Sequence, residues 1–277
     1  MLRTRWFGPG LLCLVACGLL LSACTEKEAW RQAELNDGAD AYREFLEKYP
    51  DGEFAAEAIK RIEEQDYVKA VDLGTAEAYE TYLEKHPEGS NSDDARLNHA
   101  RLLFEAAKLE CSAEKMGKYV EMYPEGESNM DARHYKRVYE YAEQIEFSDI
   151  RVEKINLQGK DDGPLDGHGI YAKVTNNGDR SLTTCQIRVD WLSEADVILL
   201  QKLWYVATPP LDMYPTAEWM QVPMKPGETR DFDYIFGRSV KPDYWEDKVR
   251  LQIHDLRFEG EKAEVDQEAK ADQTDKK

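Results

Sequence analysis

Three prolines, Pro50, Pro87 and Pro124, stand 37 residues apart in this chain, in "YPDG" at Tyr49, "HPEG" at His86 and "YPEG" at Tyr123. Many other positions keep the same spacing. Trp30 aligns with Tyr67 and Phe104, Phe45 with Tyr82 and Tyr119, and Leu46 with Leu83 and Val120. Alanines align too, at 33, 70 and 107, at 39, 76 and 113, and at 58, 95 and 132. Such self-similarity marks a stacked repeat, in which each unit buries its apolar side only against its neighbours.

Within one unit, "TAEAYETYLEKHP" sets Ala78, Tyr79, Tyr82 and Leu83 on one helical face. Pro87 and Gly89 end that helix. "NSDDARLNHARLLFEAAK" opens on capping residues and predicts a second, longer helix, so each unit reads as a helical hairpin. "AYREFLEKYP" resembles the second helix of a tetratricopeptide repeat with its terminal proline, and "EFAAEAIKRIEEQDYVKA" the first helix of the next. The likeness is to the divergent repeats of bacterial envelope lipoproteins. The period exceeds the usual ~34 residues, and the Leu-Gly pair of the family is missing. The resemblance implies a short solenoid with a protein- or peptide-binding concave face; a rigid spacer fits three units equally. Tyr135, Tyr139 and Tyr141 are expected to cap the array.

At the N-terminus, Arg3 and Arg5 precede an apolar run from Leu11 to Leu21, too short to span a bilayer comfortably. Leu21-Ser22-Ala23-Cys24 then resembles the lipobox of bacterial lipoproteins. The resemblance implies a signal peptide over 1–23, cleavage before Cys24, a diacylglyceryl group on its sulfur, and two or three acyl chains such as palmitate on Cys24 in all. Each buried methylene contributes about 0.8 kcal/mol, and stable anchoring takes more than one chain. Because Thr25 rather than Asp follows, the family pattern implies an outer membrane, facing the periplasm, if the source has two membranes. The formal charge of −19 becomes more negative once Arg3 and Arg5 are removed, which disfavours nucleic acid and anionic headgroups as partners. Cys111 and Cys185 are the remaining thiols. They are expected in different domains as buried free cysteines, although a disulfide is permitted in an oxidising periplasm.

Near Phe147 the period changes to strand-like alternation. Cys185, Ile187, Val189 and Trp191 would face one way, and Thr184, Gln186, Arg188 and Asp190 the other, as in a half-buried strand. Asn177-Gly178 offers the tight turn preferred between paired strands, "KPGE" at Lys225 a second turn, and Phe232, Tyr234 and Phe236 a further alternation. Residues 146–259 therefore read as an antiparallel, immunoglobulin-like β-sandwich of roughly seven strands. The order of strand, Asn-Gly turn, long strand and Pro-Gly-Glu turn resembles the extracytoplasmic FxLYD-type domains, whose family implication is an accessory or binding module. Between Leu203 and Met224, a stretch with Trp204, Tyr205, Tyr214 and Trp219 is long for a hairpin loop. It is a candidate recognition loop, or else an irregular edge strand whose rings cover one end of the core.

No nucleophile–base arrangement, phosphate loop or metal-ligand spacing emerges. The five histidines at 86, 99, 134, 168 and 254 are dispersed, and Asp161, Asp162 and Asp166 miss the EF-hand pattern. No cofactor, metal or catalytic residue is expected. The charged tail 260–277 lacks the apolar residues needed to order it. The whole reads as a multidomain α plus β chain: signal 1–23, helical repeats 24–145, β-sandwich 146–259, tail 260–277. Its expected role is a noncatalytic scaffold or assembly factor, lipid-anchored at Cys24 in the cell envelope and holding another envelope protein. The alternative is a small-molecule or glycan binder using the aromatic loop.

Overall fold

A computed structural model describes residues 25–158, 164–211, 216–237 and 240–261, without the side chains of 157, 158 and 164–166. The signal segment, Cys24, Asp161, Asp162, Tyr214 and the tail beyond 261 lie outside the described residues, as does the Asp166 side chain. Helices come first and strands follow, in two compact units that divide at Leu103/Phe104. No helix among the described residues is long and apolar enough to cross a membrane.

The first unit holds α1 (25–36), α2 (Ala39–Lys48), α3 (Ala55–Leu73), α4 (Ala76–Lys85) and the start of α5 (Ser92–Glu110). α2 packs on α3, and α3 on α4. The sequence period is also a packing period. Trp30 meets Phe45 with ring centres 5.3 Å apart, Tyr67 meets Tyr82 at 5.4 Å, and in the second unit Phe104 meets Tyr119 at 5.5 Å. Ala58, Ala95 and Ala132 are fully buried, where a larger side chain would hold the helices apart. Each shorter helix stops alike: the N–H groups of Tyr49, His86 and Tyr123 bond back to the carbonyls of Phe45, Tyr82 and Tyr119 at 2.9 Å. The proline that follows each has no N–H with which to continue.

Carboxylates hold the turns after the first two of those prolines. Glu26 of α1 accepts from the Phe54 N–H at 3.4 Å. One period later, buried Glu63 of α3 accepts from Asn91 N at 3.2 Å, Ser90 Oγ at 2.6 Å and the Tyr82 hydroxyl. A Cβ on Gly89 would lie 2.7 Å from that hydroxyl, so the glycine of "HPEG" is needed for close approach. Asp66, also buried, bridges Arg43 at 2.7 Å and His86 at 2.8 Å.

The second unit contains the end of α5, α6 (Ala113–Met122) and α7 (Asn129–Ala142), followed by six strands. These are β1 (Ile145–Gln158), β2 (Pro164–Asn176), β3 (Leu182–Leu192), β4 (Ile198–Ala207), β5 (Thr229–Gly237) and β6 (Val249–Phe258). They form two antiparallel sheets, ordered β1-β2-β5 and β4-β3-β6. Trp191 of β3, fully buried, meets Tyr234 and Phe236 of β5 at 5.6 and 5.4 Å, so rings from both sheets share one core.

Three expectations are corrected here. Six strands are present among the described residues, where roughly seven were expected. Asn177-Gly178 does not close a hairpin: β2 and β3 belong to different sheets, and the turn carries the chain from one to the other. Its geometry is set by Asn176, whose side chain bonds the Arg180 carbonyl at 2.8 Å, and by Tyr141, whose hydroxyl accepts from Arg180 N at 2.9 Å and whose ring lies against Gly178. Nor is β3 half-buried. Cys185, Ile187, Val189 and Trp191 are fully covered, but so is Asp190, and Arg188 nearly so. Arg188 donates to the Lys108 and Leu109 carbonyls at the end of α5, at 3.1 and 2.7 Å, and pairs with Asp190 at 3.0 Å. A helix C-terminus presents unpaired carbonyls and partial negative charge, so a guanidinium satisfies it on both counts.

Two tyrosines of α7 reach the strands, and Tyr139 stacks on Tyr135 within the helix. Tyr135 approaches His254 at 6.1 Å and Tyr141 meets Phe258 edge-on at 4.9 Å, while His134 bonds Asp255 at 2.5 Å. Cys111 and Cys185 are free thiols, both in this unit; Cys185 is buried and Cys111 half-buried.

Candidate functional site

The stretch read as one aromatic loop divides into regular pieces. Trp204 and Tyr205 belong to β4, an edge strand, opposite Ile187 and Gln186 of β3. Neighbours on a strand point to opposite faces. Trp204 sets its ring edge-on to Tyr234 at 5.3 Å and stays 41% exposed. Tyr205 accepts from Gln186 Nε2 at 2.5 Å, and burial raises its hydroxyl pKa. Trp219, 48% exposed, sits in a 3-10 turn over Glu218–Gln221. Tyr214 lies outside the described residues.

Arg230 positions this segment. Only 8% exposed, it donates to the carbonyls of Val206 at 3.0 Å, Val222 at 2.9 Å and Trp219 at 3.4 Å, and pairs with Glu228 at 2.7 Å. Sequence reasoning missed it, although the signal was present: Arg230 holds the inward register of Phe232, Tyr234 and Phe236. An arginine at an inward position must find acceptors, and the carbonyls of Val206 near the end of β4 and of Trp219 and Val222 beyond it supply them.

Two surfaces result. One is a groove of about 760 Å³ on the outer side of the β1-β2-β5 sheet, where Trp219 stands near Arg151, Tyr171, Lys173, Asp231 and Asp233. Arg151 lies over the Tyr171 ring at 4.7 Å. Trp204 is not among the residues lining that groove. The other surface is β4 with the residue before it: Val197 is 59%, Leu199 36% and Leu203 43% exposed beside Trp204. Among the described residues, β4 forms a strand ladder with β3 alone.

The histidines serve packing and pairing: His86 with Asp66, His134 with Asp255, His168 stacked on Phe236 at 5.7 Å. Burial raises the Cys111 thiol pKa and pushes that of Cys185 up to about 12, so neither is held as a thiolate. Among the described residues, no group of three His, Cys, Asp or Glu is placed to hold a metal. No protein-family model matches the chain, and a comparison with curated proteins finds no match.

Proposed function

We propose that the protein is a bacterial envelope lipoprotein, held to a membrane by lipid on Cys24, whose water-side part is a noncatalytic protein-interaction scaffold. On this reading residues 24–145 are tetratricopeptide-like hairpins in a short solenoid. Residues 146–259 are an immunoglobulin-like sandwich of the FxLYD type. The same ring pair at 5.3, 5.4 and 5.5 Å in successive units supports the first. The contacts of Trp191 with rings of the other sheet support the second.

The observation that carries the function is β4, whose exposed Leu199, Leu203 and Trp204 accompany a strand edge that no other strand pairs with among the described residues. Apolar side chains beside free backbone groups suit a protein partner, since strand addition uses both. The test places a photo-crosslinker at Leu203 of the full chain in native membranes. A discrete protein adduct from this position, with none from Glu153 on β1, is the expected result. Absence of any adduct overturns the reading. A second reading, saccharide or small-molecule binding, is favoured by the exposure of Trp219 over the groove. It predicts tryptophan quenching by a glycan fragment that Trp219→Ala abolishes.

A further inference from the structure

The outer row of β5 holds two carboxylates without a cation. Asp231 stands opposite Lys173 of β2, and Asp233 opposite Tyr171. Yet the Lys173 ammonium turns to Asp149 at 3.6 Å, and Arg151, which covers the Tyr171 ring, pairs with Glu153 at 2.6 Å. Both aspartates are exposed, and neither joins an ion pair among the described residues. Across the same groove stands Trp219, exposed but fixed through its backbone. Its carbonyl accepts from Arg230 at 3.4 Å, and the next carbonyl, of Met220, accepts from the Thr208 N–H at 2.9 Å. The groove therefore offers one fixed indole, two acceptor-only groups on β5, and two donor-only groups, Arg151 on β1 and Lys173 on β2. The remaining charges in its lining, Arg230 and Glu228, are paired with each other.

We propose that this groove binds a neutral saccharide, one ring lying on Trp219 with its hydroxyls bonded to Asp231 and Asp233 on one side and to Arg151 and Lys173 on the other. The inference rests on the small-ligand reading of the groove and is independent of the contact assigned to β4. The charges of the lining cancel, and that selects the ligand. An anion would meet Asp231 and Asp233, a cation would meet Arg151 and Lys173, and either would strip water from a pair of charges it cannot satisfy. A hydroxyl donates and accepts at once, so a neutral polyol suits both rows. The indole adds a flat apolar face, which the C–H side of a sugar ring matches and an open-chain polyol does not. Because Trp219 is fixed before any ligand arrives, little freedom is lost on binding. The volume of about 760 Å³ lies within the ~300–1,000 Å³ usual for small-ligand sites.

The experiment titrates cellotriose, chitotriose and maltotriose into the full chain, held in a detergent without a sugar headgroup, and follows binding by calorimetry. At least one is expected to bind with a Kd of about 1 mM or tighter. That Kd should change by less than about twofold between roughly 0.05 and 0.5 M salt, since a neutral ligand has no charge to screen. Trp219→Ala should raise it about tenfold or more, and Asp231→Asn with Asp233→Asn about fivefold or more, both at unchanged melting temperature. Failure of all three sugars at about 10 mM overturns the inference, as does binding that either variant leaves unchanged. Trigalacturonate and deacetylated chitotriose serve as charged counterparts. If only one of these binds, weakening with salt and lost in Trp219→Ala, the neutral class fails and the small-ligand reading stands. If nothing binds, both fail, and the scaffold reading is decided separately by the crosslinker at Leu203.

Discussion

Burial alone would raise the Glu63 carboxyl, but hydrogen bonds from Ser90, Tyr82 and Asn91 outweigh it and hold the group at about 2. A folded value below the ordinary 4.5 means that the stabilisation is fully present above 4.5 and is lost as pH falls toward 2. Glu63→Gln keeps the volume and removes the charge, and should cost about 1–3 kcal/mol at neutral pH in a urea titration. The same variant should differ little from wild type near pH 2. Gly178 is a second single-residue dependence. Alanine there would press into the Tyr141 ring, so Gly178→Ala should lower the melting temperature, and Tyr141→Ala in the same chain should remove the steric part of that loss. The sequence named Gly178 as a turn residue but for a different reason. Dipeptide chemistry reports local curvature, and the ring that demands the glycine comes from 37 residues earlier.

Between elements, the contact of α7 with β6 depends on a carboxylate as well. Burial works to raise the Asp255 pKa, but the bond from His134, aided by Arg257, lowers it on balance. Its contribution is therefore present above the ordinary value of 3.8 and lost as pH falls below it. Asp255→Asn should flatten the acid limb of a melting-temperature profile and cost about 1–3 kcal/mol at neutral pH. Arg230 makes the matching case on the other side of the unit. Arg230→Met leaves three carbonyls without their donor, and should red-shift the emission of Trp219 through loosening of the segment that carries it. Elements whose pattern is their own period were legible from the residues alone, which is why the helices and the inward rows of β3 and β5 fell where alternation put them. The outer row of β3 was not. Alternation equates polar with solvent, and only the carbonyls at the end of α5 explain why Arg188 and Asp190 are covered.

For the whole molecule, helices followed by strands were legible from the change of period, whereas the partition of strands between sheets was not, since no residue in a strand names its neighbour. The membrane reading makes its own prediction. Cys24→Ala should move the protein from the membrane fraction to the soluble one without changing its melting temperature, since lipid adds attachment and no packing. The hold of Arg188 on α5 bears, finally, on how such a chain can change over generations. Repeat arrays lengthen and shorten by recombination of whole units. Loss of the unit containing Lys108, Leu109 and His134 would strip Arg188 and Asp255 of their partners and leave charge stranded beneath a removed helix. If the helices are repeats as proposed, copies are expected to be gained and lost before Phe104, and the last one to be kept with the strands.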